Sequence, residues 1–543
     1  MVAMLGALAA PASVSAQSTA ADPDQAYISA DLELYMVAKQ YFPADTSGVA
    51  ARRIFRLTRD QLDASVASLL PGFAPQSIKE TMPRDSLQTN YEYADILSFN
   101  AANTAALSGW IGDIAARVRK KPAAVINCAP DGGNAECLKL AARQFVIKAF
   151  RGDAGEDKIN QIVAFYGAGV QASGFGQATG DLVEVVLNSP HFLFRKELDV
   201  TRGNRLAPAQ LLQSVTYTLA DVPPEAVNLS SERANQYLRT GPEASTTIGA
   251  IAASKPAQEK LVRFFTAWLE VKATSEFTIS PQVFPEFNAR LAAAMRSETM
   301  QFLRTQLSKP APKLTDITQA TQSFVPKSLE AIYRSKPDGS AGGKLVDLDP
   351  AQRLGIFSHP AVLASHSGPT DSRPIKRGVF WVRKVMCMEM EPPPKELHAK
   401  LYEMEGSTER QRIEQSTSGA ACIGCHKVIN PFAFFQESYD ALGRFRTSDN
   451  GHPIDASILI NFLDEEPAKT ATAVEALKTL TGSMMFKQCF VRQLFRFYMG
   501  RQEEPADDPL LRRMFFEFAY QDKQDILRVV QMLAASDRIV KRK

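Results

Sequence analysis

The sequence predicts an all-α protein assembled from several helical modules. Apolar residues recur at intervals of three and four residues through most long segments, whereas the alternation expected of strands is scarce. A chain of 543 residues exceeds one ordinary core, so two to four packed units are expected. The clearest helical periodicity occurs in residues 137–150, 178–198, 257–271, 287–307, 484–500 and 525–540.

Composition and turn residues divide the chain into segments. Thr58 and Gln61 have the spacing of a capping box ahead of a helix. Residues 308–350 are rich in Pro, Gly, Ser and Lys, which predicts a linker between two helical halves. Three consecutive prolines end the helix-like stretch "VFWVRKVMCMEM", because proline lacks a backbone donor. The expected segments are an N-terminal helical module at 17–160, a central helical module at 161–310, the linker at 311–350, a module at 351–465 and a C-terminal helical module at 466–543.

The N-terminus predicts export from the cytoplasm. The first 21 residues carry no charge, and "VSA" at 14–16 fits a small-x-small cleavage site, so residues 1–16 are expected to be a signal peptide. The basic start of a full signal peptide is missing, and a disordered Ala-rich terminus is the alternative. Export predicts a periplasmic, secreted or cell-surface protein in an oxidising compartment.

Charge and hydropathy argue against nucleic-acid binding and against a membrane-spanning helix. Lys and Arg number 62 and Asp and Glu number 59, so the chain lacks the basic excess typical of nucleic-acid binding. No apolar run approaches the roughly 18 residues of a transmembrane helix.

Six cysteines constrain the fold further. Cys128 and Cys137 flank the polar, Gly-containing loop "CAPDGGNAEC", and a local disulfide is expected between them. If Cys422 and Cys425 are otherwise occupied, Cys387 and Cys489 remain as a possible long-range pair.

The stretch "CIGCH" indicates a covalent haem c. On a helix, Cys422, Cys425 and His426 stand at positions i, i+3 and i+4 and share roughly one face. Two thiols can then reach the two vinyl groups of a porphyrin while the imidazole reaches the iron. A zinc site would need a second ligand pair, and a thioredoxin-like pair would need a βαβ context, neither of which is visible. A plain disulfide remains the other alternative. We therefore expect the module at 351–465 to be a cytochrome-c-like haem module.

The neighbours of this motif suggest further haem contacts. Phe432, Phe434 and Phe435 supply apolar cover, and Arg444 is a candidate for binding a haem propionate, as is Arg446, although both fit a solvated surface equally well. A distal ligand cannot be derived from spacing, and His366 is favoured because it lies in an irregular Gly/Pro loop. The full set of distal candidates is His359, His366, His398, His452, Met390 and Met404. His191 is expected to pack in a core.

The segment "CIGCHKVINPFAFFQESYDALGRFR" resembles the cytochrome-c-like part of large secreted multi-module proteins of unknown function from planctomycetes, myxobacteria and some proteobacteria. Their pattern runs CxxCHxxiDPlGfaxExfDxxGrxR, with Asn430 and Ala433 here in place of Asp and Gly. "RRIFRLTRDQLDASVASLLPG", "LNSPHFLFRKEL", "RPIKRGVFWVRKVMC" and "CFVRQLFRFYMGR" are similar to other modules in the same order. Several members carry a His shortly before CxxCH, where this chain has Ser416. The resemblance implies a secreted, haem-bearing helical protein without naming a substrate.

Three functions follow from this reasoning. The first is electron transfer by an exported c-type cytochrome with one covalent haem, docking transiently to redox partner proteins. The second is a haem-dependent oxidoreductase of peroxidase or oxygenase type, which the length of the chain favours although the sequence singles out no distal acid–base pair. The third makes the residues before the haem segment a scaffold for a binding partner.

Overall fold

The structure is a computed structural model, and it describes residues 24–88, 90–128, 134–227, 242–333, 345–391 and 407–543. The expected signal peptide at 1–16 and the distal candidates His398 and Met404 lie outside these described residues.

The described chain is mostly α-helical, which confirms the predicted fold class in its coarse form. The first helices are α1 Gln25–Ala30, α2 Leu32–Tyr41, α3 Arg59–Leu69, α4 Ala101–Lys120, α5 Ala135–Ala149, α6 Glu156–Leu187, α7 Pro190–Leu193 and α8 Pro208–Ala220. The middle helices are α9 Pro242–Ala252, α10 Lys255–Trp268, α11 Ala289–Leu307, α12 Leu314–Thr318, α13 Glu330–Tyr333, α14 Pro360–Ser365 and α15 Pro374–Phe380. The last are α16 Glu409–Ser416, α17 Ala420–Phe434, α18 Ala473–Gly482, α19 Met484–Met499, α20 Asp508–Ala519, α21 Ile526–Ala535 and α22 Asp537–Val540.

The strands are short and form two-stranded antiparallel ribbons. The pairs are β1 Arg53–Arg56 with β4 Phe194–Glu197, β2 Leu87–Gln88 with β3 Tyr91–Glu92, β5 Gln322–Phe324 with β6 Leu345–Asp347, β7 Ser448–Asp449 with β8 His452–Pro453, and β9 Ile458–Ile460 with β10 Ala468–Thr470. The β1–β4 ribbon joins distant parts of the chain and sets Arg53 opposite Glu197. The helical periodicity expected through 178–198 ends at Leu187, since Ser189 and Pro190 start a new short helix and β4 follows it.

An N-terminal core is built from α3 to α7. Thr58 and Gln61 form the predicted capping box at the start of α3. Leu62, Val66 and Ile111 are fully buried within this core. A disulfide joins Cys128 to Cys137 at its edge. The expected boundary at residue 160 falls inside α6, so this packed unit extends beyond the predicted N-terminal module.

A second, larger core holds the remaining helices together. Trp268 lies at its centre, stacked on Phe264 with ring centroids 5.8 Å apart, and its indole N–H donates to the Lys384 carbonyl at 2.7 Å. The same core contains α2 and the segments expected to form the central, haem and C-terminal modules. A second disulfide, between Cys387 and Cys489, connects the end of the α15 region to α19.

The segment expected to be a linker, 311–350, is packed where the structure describes it. Leu314, Ile317 and Leu329 are fully buried in the larger core, and β5 pairs with β6. The described parts of this segment therefore belong to the larger core.

No helix within the described ranges is long and apolar enough to cross a membrane.

Candidate functional site

The CxxCH motif lies on the exposed half of α17. Cys425 is exposed and Cys422 is half-buried, whereas the second half of the helix, from Phe432 to Phe434, is buried in the larger core. Ile423, between the two cysteines, is 45% exposed and adds apolar surface beside the thiols. Neither Cys422 nor Cys425 is in a disulfide, unlike the other four cysteines.

A chain of hydrogen bonds orients His426. The Thr417 hydroxyl donates to the Ile413 carbonyl at 2.7 Å and therefore presents a lone pair to its other neighbour. That neighbour is the Asn430 amide, whose Nδ2 donates to Thr417 at 3.1 Å. With its amide nitrogen assigned in this way, Asn430 turns Oδ1 toward His426 Nδ1, 2.9 Å away.

The tautomer of the neutral His426 ring follows from these hydrogen bonds. Because Asn430 Oδ1 can only accept, Nδ1 of His426 carries the proton and donates it. The neutral ring then has its lone pair on Nε2. An imidazole whose other nitrogen donates to a fixed acceptor is the usual arrangement of a metal-ligating histidine. His426 is therefore set up to bind a metal through Nε2.

A groove of about 300 Å³ lies beside His426. Its apolar surface comes from Pro431, Phe434 and Ile458, and Leu459 is 53% exposed at its edge. The other lining residues are polar or charged: Arg410, Glu414, Lys427, Asn430, Ser457 and Asn461. This lining suits a flat apolar ligand that carries charged groups at its edge.

The close packing of α15 against α17 holds the motif in place. A methyl group at Gly378 would lie 2.8 Å from the Ile429 carbonyl oxygen and 3.1 Å from the Ala433 Cβ. Glycine is therefore required for α15 to approach the helix that carries the cysteines. This contact explains the glycine of "RPIKRG".

The arginine beside that glycine fastens the segment that follows α17. Arg377 is fully buried, and its guanidinium donates to the carbonyls of Gln436, Tyr439 and Asp440 at 3.1, 2.7 and 2.7 Å. Burial lowers the pKa of Arg377 to about 10, although Glu437 and Asp440 oppose the shift. Arg377 thus supplies donors to three backbone carbonyls of the turn that follows α17 and holds this turn against α15.

Arg444, the candidate for a propionate, lies elsewhere. Its Nε donates to Asp440 at 2.6 Å, and a second nitrogen pairs with Glu286. It lines a different pocket from the groove at His426. Arg446 is likewise engaged, by Glu437 at 2.9 Å and by Asp449 at 3.0 Å. Haem binding by Arg444 stays a prediction, and the structure does not bring it together with His426 in one cavity.

The favoured distal candidate, His366, is buried away from the groove. Its ring stacks on Phe380 at 3.9 Å and its Nε2 contacts the Leu269 carbonyl at 3.0 Å. Burial lowers the pKa of His366 to about 3. The other described candidates do not line the groove either: His359 is fully buried, Met390 is partly buried and His452 is exposed. His191 packs on Phe150, as expected.

Sequence reasoning missed four residues of this site. Asn430 and Thr417 orient His426, and Arg410 and Lys427 place positive charge at the groove. The position of Asn430, four residues after His426 on one helix, was a readable signal for the first pair. Arg410 reaches the groove through tertiary packing, with its guanidinium 4.8 Å from the Phe434 ring, which no local pattern shows.

The residues present fit a c-type haem. Two thiols outside any disulfide and an imidazole with its lone pair on Nε2 lie on one helix, and the imidazole lines a groove with apolar surface, although neither cysteine does. Cys422, Cys425 and His426 would hold the group, which supplies a one-electron iron couple when bound.

Three family models match the chain. Residues 137–197 match "PSD5: Protein of unknown function (DUF1595)", residues 206–334 match "PSD4: Protein of unknown function (DUF1592)" and residues 353–449 match "PSCyt3: Protein of unknown function (DUF1588)". These are domain families of the multi-module planctomycete-type proteins, and the third contains the CxxCH helix. The matched ranges do not extend to the similar segments noted near residues 52–72 and 489–501. No curated protein and no solved structure matches.

Proposed function

We propose that this chain is an exported c-type cytochrome that carries one covalently attached haem and takes part in electron transfer. The observation that carries the proposal is the pair of unbonded thiols beside a histidine whose Nε2 is left free by Asn430 and Thr417. The two disulfides support export, since such bonds persist in oxidising compartments. Redox partner proteins would dock at the exposed half of α17.

The first prediction concerns covalent attachment. In a host with haem-attachment machinery, Cys425→Ala should abolish the haem-stained band on a denaturing gel, because it removes one thioether and breaks the recognised motif. Gly424→Ala is the matched control, since a methyl group there meets no atom within 4 Å, and it should keep full staining. A haem-stained band of normal intensity in the Cys425→Ala protein would refute the assignment.

The second candidate function is a haem-dependent oxidoreductase. The observation that favours it is that none of the described distal candidates, His359, His366, Met390 and His452, lines the groove beside His426, because an oxidoreductase needs an open coordination position. The absorption spectrum of the oxidised protein distinguishes the two functions. Electron transfer predicts a low-spin, six-coordinate haem that does not respond to cyanide or peroxide. A high-spin spectrum that changes on their addition would contradict the relay and support the oxidoreductase.

A further inference from the structure

A second cavity, of about 660 Å³, lies between the N-terminal core and the larger core. Its lining comes from the start of α3, the β2–β3 ribbon, β4, the end of α8, α10, residues 270–276, α11, the end of α14, α15 and the end of α19. Neither the two haem-motif cysteines nor His426 contributes to it. The volume is in the range of small-molecule binding sites in proteins.

One part of the lining carries three clustered cations, Lys272, Arg296 and Lys376. The Lys272 backbone N–H donates to Ser365 Oγ at 3.0 Å, and Lys376 Nζ donates to the Ser365 carbonyl at 3.2 Å. Arg296 donates to the Lys272 carbonyl at 2.8 Å. Burial lowers the pKa of Lys376, and the charge of Lys272 lowers it further. Like charges are thus held close together.

None of these three cations forms a direct ion pair with a described residue. No carboxylate of any described residue lies within 4 Å of their side-chain nitrogens. Glu276 is paired with Arg84 at 3.1 Å and Glu270 lies 3.7 Å from Lys384, and their charges only partly oppose the lowering of the Lys272 and Lys376 pKa values. Clustered charges of one sign in a cavity favour an anionic ligand.

Another part of the lining carries an unpaired carboxyl group, Glu92. It lies in β3, opposite Leu87, and is partly buried, and its carboxyl group has no hydrogen bond or ion pair with any residue in the described part of the chain. Burial raises the pKa of Glu92 to about 7, assisted by the charges of Asp85, Asp60 and Asp221 and opposed by Arg59. Glu92 can therefore donate or accept a proton in a hydrogen bond near neutral pH.

The remaining cations of the lining are already satisfied. Asp221 accepts from Lys260 and from Arg263, each at 2.7 Å. Lys260 also lies 5.3 Å from the centre of the Tyr498 ring. The charged groups of the lining that have no ion pair with a described residue are therefore the three cations and Glu92.

We propose that this cavity binds a small organic anion that also bears hydroxyl groups. Its carboxylate or phosphate is held by Lys272, Arg296 and Lys376, and one of its hydroxyls hydrogen-bonds with Glu92. The anionic end of such a ligand supplies the ion pairs that the three cations lack, and its hydroxyl supplies a hydrogen-bond partner for the Glu92 carboxyl group. The inference does not rest on the haem, because no residue of the CxxCH motif lines the cavity.

Calorimetric titration of the full chain tests the proposal. Gluconate, which has one carboxylate and five hydroxyls, and inorganic phosphate are the probes, and sorbitol is the uncharged counterpart of gluconate. Gluconate should bind at least about tenfold more tightly than sorbitol, and phosphate should compete with it. Equal binding of gluconate and sorbitol, or no binding of either gluconate or phosphate, would overturn the proposal. The Cys425→Ala protein should give the same result, which separates this test from that of the haem.

Lysine substitutions test the location. Lys272→Gln and Lys376→Gln should each weaken gluconate binding about tenfold, because each removes one uncompensated charge. Lys478→Gln, an exposed lysine on α18 outside the cavity, is the matched control and should bind as the wild type does. Equal affinities in all three variants, at unchanged melting temperature, would show that gluconate binds elsewhere.

The pH dependence of binding tests Glu92. Gluconate is ionised throughout the neutral range, so changes in its affinity report on the protein. Affinity should fall as pH rises through about 7, because ionised Glu92 then repels the anion. Glu92→Gln should remove this dependence, and Glu466→Gln, at an exposed position outside the cavity, should retain it. Identical pH profiles in both variants and the wild type would contradict the role of Glu92.

Discussion

Asn430 and Thr417 act on His426 as one unit. The amide donates at one end to Thr417 and accepts at the other from the imidazole, so a single side chain satisfies both neighbours. An Asp, the residue that the resembling family has here, has no donor for the Thr417 lone pair. The hydroxyl would have to turn away from Ile413 and donate to the carboxylate instead. The neutral amide of Asn430 therefore orients the His426 ring without placing a negative charge beside it.

Asn430→Asp should lower the midpoint potential of the bound haem. A carboxylate accepts a stronger hydrogen bond from Nδ1 and makes the imidazole a more electron-rich ligand, which stabilises the oxidised iron. A difference of about 1.4 kcal/mol between charged and neutral hydrogen bonds corresponds to about 60 mV for a one-electron couple. Spectroelectrochemical titration of the purified protein measures the shift.

Asn461→Asp is the control for that substitution. Asn461 also lines the groove, but no hydrogen bond to His426 links the two residues. The same added charge there should shift the potential by a smaller amount through solvent-screened electrostatics alone. Equal shifts in the two variants would mean that Asn430 acts only as a charge near the haem.

Only the parts of the site whose residues are close together in sequence could be predicted from the sequence. The spacing of Cys422, Cys425 and His426 placed them on one helix face, where the structure has them. Arg444 shows the opposite case, because one of its two carboxylate partners, Glu286, is 158 residues away in the chain. Which side chains reach a given groove depends on tertiary packing, and no single-sequence pattern contains that information.

At the scale of elements, the packing of α15 on α17 is the contact on which the site depends. The two helices meet at a residue without a side chain, and the buried Arg377 beside it fastens the segment that follows α17. Any added atom at Gly378 must displace the backbone of Ile429, which belongs to the helix that carries the motif. Backbone is less able to give way than the end of a flexible side chain.

Gly378→Ala should destabilise the protein. The added methyl group overpacks the helix contact, and the expected loss is about 1–3 kcal/mol of unfolding free energy. Urea unfolding followed by circular dichroism measures it. Gly249→Ala, within α9, is the comparison, because the added methyl group has only the end of the Gln531 side chain within 4 Å. It should raise the unfolding free energy by about 0.5–1 kcal/mol. Effects of the same sign at both positions would contradict the role of Gly378 in helix packing.

Helices were predictable where their apolar faces are regular. The periodicity at 257–271 and 287–307 corresponds to Lys255–Trp268 and Ala289–Leu307. The burial of the described parts of 311–350 was not predictable, because their buried residues are few and widely separated, with Leu314 and Ile317 on one short helix. A turn-rich segment can pack into a core when each of its short elements contributes a few apolar side chains.

At the scale of the whole molecule, Glu197 connects the two ends of the described chain. Its carboxylate is fully buried and lies 2.7 Å from Nε of Arg53 in β1 and 2.7 Å from Nε of Arg542 near the C-terminus. Arg195 is a third cation, at 3.7 Å. Burial would raise the pKa of Glu197, but these three guanidinium groups outweigh it and lower the pKa to about 2. The sequence held no signal for this cluster, because its members are spread over almost 500 residues.

This cluster should make the protein sensitive to acid. Because the folded-state pKa of Glu197 is lower than the unfolded value of 4.5, its stabilisation is complete above pH 4.5 and is lost as pH falls toward 2. The loss is on the order of 3 kcal/mol. Glu197→Gln should be about 3–5 kcal/mol less stable than the wild type at neutral pH, because three arginines lose their shared carboxylate. Its unfolding free energy should also decline less between pH 5 and 3 than that of the wild type. Urea unfolding across this pH range measures both effects. The control is Asp537→Asn, which breaks an exposed pair with Lys541 and should change the unfolding free energy by less than about 1 kcal/mol. If the wild-type and Glu197→Gln proteins lost the same unfolding free energy between pH 5 and 3, a group other than Glu197 would cause the acid sensitivity.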